Sequence, residues 1–181
     1  MPKTEKLGFP QERQRMKTKI VLLLVAAIAL ALVQPLGAAT ATSNITMTAT
    51  VSDAATLIVS LAALTFPNAD PDTVPSVAAT QGAVTITARA RTSGGSTVTL
   101  TLLAASDLTS GGDTIAISNM TWTVGGAGFV AGTMSRLAAQ SVASWTNSGN
   151  RTGTQTFALA NSWSYPTGNF SATATYTLTA P

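Results

Sequence analysis

Beyond residue 20 the acid chemistry available to this chain rests on five aspartates: Asp53, Asp70, Asp72, Asp107 and Asp113. Four arginines accompany them (Arg89, Arg91, Arg136 and Arg151), and from residue 20 onward there is no Lys, Glu, His or Cys. That inventory excludes disulfide frameworks, Cys/His metal sites, Ser-His-Asp and Cys-His catalysis, and Schiff-base lysines. A paired-carboxylate hydrolase needs two acids in one cleft with the pKa of one raised. These five are scattered, and most stand beside Gly or Pro. Asn68-Ala-Asp70-Pro-Asp72 sets three oxygen-bearing side chains at alternate positions, a spacing open to Ca²⁺. No Glu closes that site and Pro71 flanks both carboxylates, so a solvated turn is expected. Asp107 and Asp113 bracket Leu-Thr-Ser-Gly-Gly and are expected to cap that loop through Asx-type hydrogen bonds. The chain is therefore expected to be no enzyme, with no cofactor and no metal.

A second candidate chemistry is stacking. Trp145, Trp163 and Tyr165 sit in Ser/Asn/Gly-rich stretches and form a candidate aromatic binding surface for sugars. The bland alternative for all three is anchoring in a core or a loop.

The elements that must position these groups begin with an address. Lys17 and Lys19 precede the apolar run from Ile20 to Val33, which Gln34-Pro35 ends, and small residues follow at Gly37, Ala38, Ala39 and Ala41. Positive n-region, short apolar h-region and a small-x-small site predict a secretory signal peptide over residues 1–41, with cleavage expected after Ala41 and Ala38 or Ala39 as the alternatives. As a helix, the run spans about 21 Å, short of a hydrocarbon core of about 30 Å. Met16-Lys-Thr-Lys19 also reads as an ordinary signal-peptide start, which leaves Met16 beside Met1 as the point where translation begins. Membrane contact is expected only through this segment during export, with a secreted, extracellular or cell-surface destination.

The overall net charge of +3 comes from the address as well: six of the ten basic residues precede residue 20. After it, four arginines against five aspartates leave a net charge of −1. No basic footprint for nucleic acid remains.

From Thr42 to Pro181 there are 28 threonines in 140 residues, and they alternate. In Ala83–Arg91, Val84, Ile86, Ala88 and Ala90 fall on one face and Thr85, Thr87, Arg89 and Arg91 on the other. Ser96–Leu103 alternates likewise, and the intervening Gly94-Gly95 predicts a β-hairpin. Further strands are expected at Thr56–Leu61, Thr114–Val124, Gly153–Leu159 and Asn169–Ala180; the single short helix candidate is Met134–Ala143. The pattern predicts an all-β fold, a single immunoglobulin-like antiparallel β-sandwich over 42–181 preceded by a signal-peptide helix, with a closed barrel as the alternative.

Strand edges expose unpaired N–H and C=O groups, which soluble proteins guard with charges, Lys above all. Here there is no Lys beyond Lys19. Either the edges are covered internally, or strand addition between subunits is intended. Asn44–Ser52 sharpens the choice. Ile45, Met47, Ala49 and Val51 form an apolar stripe, and Thr46, Thr48 and Thr50 form the opposite face. Such a segment suits a donor strand, in which backbone bonds give affinity and alternate side chains fill a groove. It equally suits the first strand of its own sandwich.

The C-terminal Gly168-Asn-Phe-Ser-Ala-Thr-Ala-Thr-Tyr-Thr-Leu-Thr179 resembles the last strand of secreted pilin subunits and of spore-coat-U-type proteins. Met120-Thr-Trp-Thr-Val124, with Thr175–Pro181, is similar to the paired motifs of WxL-type surface domains, although Val124 and Tyr176 stand where Leu and Trp are usual. The first resemblance implies a subunit of a filament (fimbrium) or coat; the second implies noncovalent attachment to a cell wall. The expectation is a non-enzymatic structural protein that forms a homo-oligomer or polymer through its edge strands. The alternative is a monomeric module for cell-wall or glycan binding.

Overall fold

The computed structural model describes residues 15–17, 19 and 40–181. The signal-peptide helix expected from Ile20 to Val33 lies outside these residues. Among the described residues no helix is long and apolar enough to cross a membrane. The chain divides into two units, Met1–Thr48 and Ala49–Pro181. In the first, residues 40–48 are exposed and carry no regular structure.

The second unit holds the β-structure. Its strands are β1 Ala54–Val59, β2 Ser76–Ala78, β3 Val84–Arg91, β4 Thr97–Ala104, β5 Leu108–Ser110, β6 Asp113–Ile115, β7 Met120–Gly125, β8 Gly132–Thr133, β9 Gln140–Thr146, β10 Gly149–Ala160 and β11 Ala174–Thr179. One sheet runs β1-β3-β10-β7-β8, with β2 pairing the far end of β10; the other runs β11-β4-β9. The β5–β6 ribbon stands apart, and every ladder is antiparallel. This is the all-β sandwich that the alternating threonines predict.

Alternation decides which face each strand buries. Val84, Ile86, Ala88 and Ala90 of β3 and Val98, Leu100, Leu102 and Ala104 of β4 are buried against each other, joined by Trp122 of β7, Trp145 of β9 and Phe157 of β10. Removing such a side chain from water stabilises the fold by about 1.5–3 kcal/mol each for the larger aliphatic ones. Trp122 and Phe157 are cross-strand partners with ring centroids 6.1 Å apart, and the Trp122 Nε1–H donates to the Val130 carbonyl at 2.9 Å. The threonines between the buried positions fall on the outer faces, where Thr87 and Thr152 bring their hydroxyls to 3.4 Å.

The predicted hairpin does not form. β3 lies between β1 and β10 in one sheet, whereas β4 lies between β9 and β11 in the other. The Gly94-Gly95 connection arches across the core instead. Alternation specifies a buried side and says nothing about the partner, so both ribbons meet the pattern while facing each other. A second arch, from β9 to β10 through Asn147-Ser148, locks against the first. Gly95 N–H donates to Asn147 Oδ1 at 2.7 Å, Asn147 N–H to the Ser96 carbonyl at 2.9 Å, and Thr92 N–H to Ser148 Oγ at 3.0 Å. Asn147 takes a φ of 68°, a left-handed conformation that Asn tolerates better than most residues. Consecutive strands that cross between sheets in this way are a feature of immunoglobulin-like sandwiches.

Two other expectations are corrected. The long strand over Thr114–Val124 is interrupted by a 3-10 turn at Ile117–Asn119, so buried positions shift from odd (Ile115, Ile117) to even (Met120, Trp122). The helix candidate Met134–Ala143 is instead a turn, in which Ser135 Oγ accepts the N–H groups of Leu137 and Ala138, followed by the start of β9.

One side of the sandwich is sealed by Phe129. It bridges Ala143 of β9, while Val130 N–H donates to the Val142 carbonyl at 2.9 Å. Its ring lies on Gly153, an inward position of β10, and a Cβ there would run into it. Gly153→Ala is therefore expected to destabilise the domain by about 1–3 kcal/mol, as overpacking does, read as a lower midpoint in denaturant or thermal unfolding with the β-type circular dichroism retained.

Candidate functional site

Opposite the Phe129 seal, the flanking strands β1 and β11 approach each other without forming a ladder. Each is terminal in its sheet. Core-facing residues of the inner strands are fully covered, but Leu57 and Val59 of β1 and Tyr176 and Leu178 of β11 are only half-buried. Where β1 ends, a groove of about 1250 Å³ opens at one end of the sandwich. One lip is Val59 and the segment from Leu61 to Ala69; the other is Phe170 to Ala174 with Tyr176. The floor reaches Val84, Leu102, Ile117 and Phe157, which are core residues. The groove thus reaches the core from the end of the sandwich, with polar and apolar groups lining it in similar measure.

Neither edge is guarded. β1 reads Ala-Ala-Thr-Leu-Ile-Val and β11 Ala-Thr-Tyr-Thr-Leu-Thr, with no charge and no Pro in either. Ile58 even points its side chain to solvent. Free backbone groups beside apolar side chains are what an incoming strand requires.

One polar pair sits just behind the groove. The Tyr176 hydroxyl donates to Gln155 Oε1, and Gln155 is fully buried at an inward position of β10. Its Nε2 has no partner among the described residues. Burial pushes the Tyr176 phenol well above its usual pKa. The signal for this pair in the sequence is Gln155 itself, a polar residue at the same parity as Phe157 and Leu159 in a strand that otherwise buries apolar groups.

The candidate donor residues Ile45, Met47, Ala49 and Val51 lie in no strand, and Ile45 and Met47 are 80% and 85% exposed. The structure does not unite the candidate aromatic surface. Trp145 is buried in β9 opposite Val98, with the Arg151 guanidinium 5.8 Å from its ring centre. Trp163 and Tyr165 follow the other end of β10, roughly 35 Å of extended chain away. Trp163 is exposed, and Tyr165 is half-buried. Trp145 looked like a loop residue because Ser and Asn surround it; a β-bulge beside Leu100/Thr101 lets Val142, Ala143 and Trp145 all turn inward.

The aspartates serve local structure. Asp70 Oδ1 accepts the Asp72 N–H at 2.9 Å, closing an Asx-type turn. Asp107 does not cap the loop it shares with Asp113; it accepts the Ile117 N–H at 2.9 Å and the Arg136 Nε–H at 2.9 Å, fixing the 3-10 turn. No family model and no curated protein matches the chain.

The Tyr176–Gln155 pair gives a test of the groove wall. The unfolded phenol ionises near pH 10.0, whereas the folded one holds its proton to higher pH. The associated stability is intact below about pH 10 and falls as pH rises above it, because the unfolded state then releases a proton that the folded state keeps. Tyr176→Phe is expected to cost about 1–3 kcal/mol at neutral pH by stranding the buried amide. It should also flatten the decline of unfolding free energy between pH 9 and 11, measured by denaturant titration.

Proposed function

We propose that this chain is a secreted, non-enzymatic structural subunit of a surface filament or coat, assembled by inserting Asn44–Ser52 into the groove of a second copy. The observation that carries the reading is a pair of features: two unguarded edge strands, β1 and β11, with a groove reaching the core where β1 ends, and an alternating segment that forms no strand among the described residues. Ile45, Met47 and Val51 each gain about 1.5–3 kcal/mol on leaving water for such a groove. Backbone bonds along an unguarded edge add affinity and orientation. The resemblance of residues 168–179 to the last strand of pilin and spore-coat-U-type subunits points the same way.

Register argues for donation between copies. Ser52-Asp53 is the whole connection between the donor segment and β1. A parallel placement beside β1 needs a crossover of about a dozen residues. An antiparallel hairpin with that two-residue turn pairs Val51 with Ala54, Ala49 with Thr56 and Met47 with Ile58. Paired residues share a face, so the apolar stripe would then join the solvent side of β1 and the threonines would face Leu57 and Val59. Slipping by one residue restores the faces, but it needs a three-residue loop, Val51–Asp53 or Ser52–Ala54, that lacks the Gly such a loop favours. A second copy has no such constraint. Because donor and acceptor are different surfaces, the contact is heterologous and propagates head to tail.

Ile45→Asp combined with Met47→Asp keeps the threonine face while placing charge in the groove. The double variant is expected to be exported and folded but monomeric by light scattering, with no fibres in negative-stain images of a preparation in which the unaltered chain forms them. A peptide spanning residues 44–52, added to the variant, should raise its thermal midpoint by occupying the groove. An unaltered chain that stays monomeric at high concentration, or a double variant that assembles normally, removes the reading.

A further inference from the structure

Tryptophans kept for packing are buried, as Trp122 and Trp145 are; Trp163 is 71% exposed. It is nonetheless held firmly. Its Nε1–H donates to Asp72 Oδ1 at 3.0 Å. Asp72 is set by the turn in which Asp70 Oδ1 accepts its N–H, while the Asp70 carbonyl accepts the N–H groups of Thr73 and Val74 at 3.2 and 2.8 Å. Asn161, just past β10, clamps that turn to the sandwich: its Nδ2 donates to the carbonyls of Ala69 and Val74, both at 3.0 Å. On the indole's own side, Ser162 Oγ accepts the Ser164 N–H at 3.2 Å, and Tyr165 N–H donates to the Ser162 carbonyl at 3.2 Å. Two interlocked turns thus present one aromatic face to solvent, with little side-chain freedom left to lose on binding.

We infer that this platform binds a neutral pyranose of a surface polysaccharide, independently of strand donation. The exposed indole face stacks on the C–H face of a sugar ring, the geometry of an amphipathic aromatic anchor. The carboxylate oxygens of Asp72 and Asp70 not engaged in the turn accept hydroxyl protons from the same ring, and the Ser162 and Ser164 hydroxyls edge the site. Charge selects the ligand class. The turn at Ala69–Val74 carries Asp70 and Asp72 and neither turn contains Lys or Arg, so sulfated or uronic-acid chains meet two negative charges and no counter-charge. Trp163 also stands at the rim of the groove, which makes a neighbouring subunit the rival occupant. An apolar strand laid there would bury those carboxylates without a donor, and this favours the sugar. A single stacked ring binds weakly. A filament repeating the site on every copy gains avidity of about 10²–10⁴ when several sites engage one polymer.

The test is affinity electrophoresis of the full mature chain through gels containing a soluble neutral β-glucan, chitin-derived oligomers immobilised on a neutral support, or a sulfated polysaccharide. It is run both on the unaltered chain and on the double Asp variant of Ile45 and Met47, so that a failure of the assembly reading is seen separately. Retardation by a neutral glycan and none by the sulfated one is expected. Trp163→Ala should weaken that retardation by at least about tenfold, as loss of an aromatic anchor does. Trp163→Phe should weaken it less, and the thermal midpoint of both variants should stay near that of the parent because the ring covers no core. Equal retardation of Trp163→Ala and its parent overturns the inference, as does a parent that no neutral glycan retards. Loss of assembly in Trp163→Ala with glycan retention unchanged also overturns it, by assigning the indole to the contact between copies.

Discussion

A β-strand at a sheet edge is a row of backbone donors and acceptors with one side unsatisfied, and the architecture of this molecule follows from how those rows are closed. With nine charged side chains after residue 20, it has few polar groups other than hydroxyls and the main chain itself. Within the sandwich the rows are closed by ladders: β3 between β1 and β10, β4 between β9 and β11. At one flank the Phe129–Ala143 bridge ties the sheets together and Gly153 makes room for the ring. At the other flank β1 and β11 approach each other without a ladder, and a groove reaches the core where β1 ends.

Much of this was legible in the residues, and the limits are instructive. Alternating Val, Ile, Leu and Thr gives strands and buried faces because side chains in an extended chain take opposite sides in turn. The same alternation misplaced the partner of β3, since two ribbons facing each other across a core obey the same rule as two ribbons side by side. The broken strand before Trp122 had a local sign that composition concealed, the change of parity between Ile117 and Met120. Trp145 was misread because a bulge turned an apparently polar stretch inward, and bulges leave little mark in composition.

The groove was the least legible feature. Its walls come from β1 and β11, separated by more than a hundred residues, and its emptiness depends on which strands the topology leaves at the end of each sheet. No local pattern carries that information. The donor-like stripe of Ile45, Met47, Ala49 and Val51 was readable at once, because it needs only period two. Its counterpart became visible only with the whole sheet order in hand. Gln155 lies between these cases: its polarity at an inward position was a plain anomaly, while its meaning required Tyr176 from the far end of the chain.

Under the proposed assembly, two unlike contact surfaces have a kinetic corollary. A row of such molecules joined groove to strand finishes with a vacant slot at one terminus and an unused ribbon at the other, so its two tips are chemically unlike. Growth and loss at those tips would proceed at different rates. The vacant slot, which reaches the core, would demand a cap in a way that the loose ribbon would not.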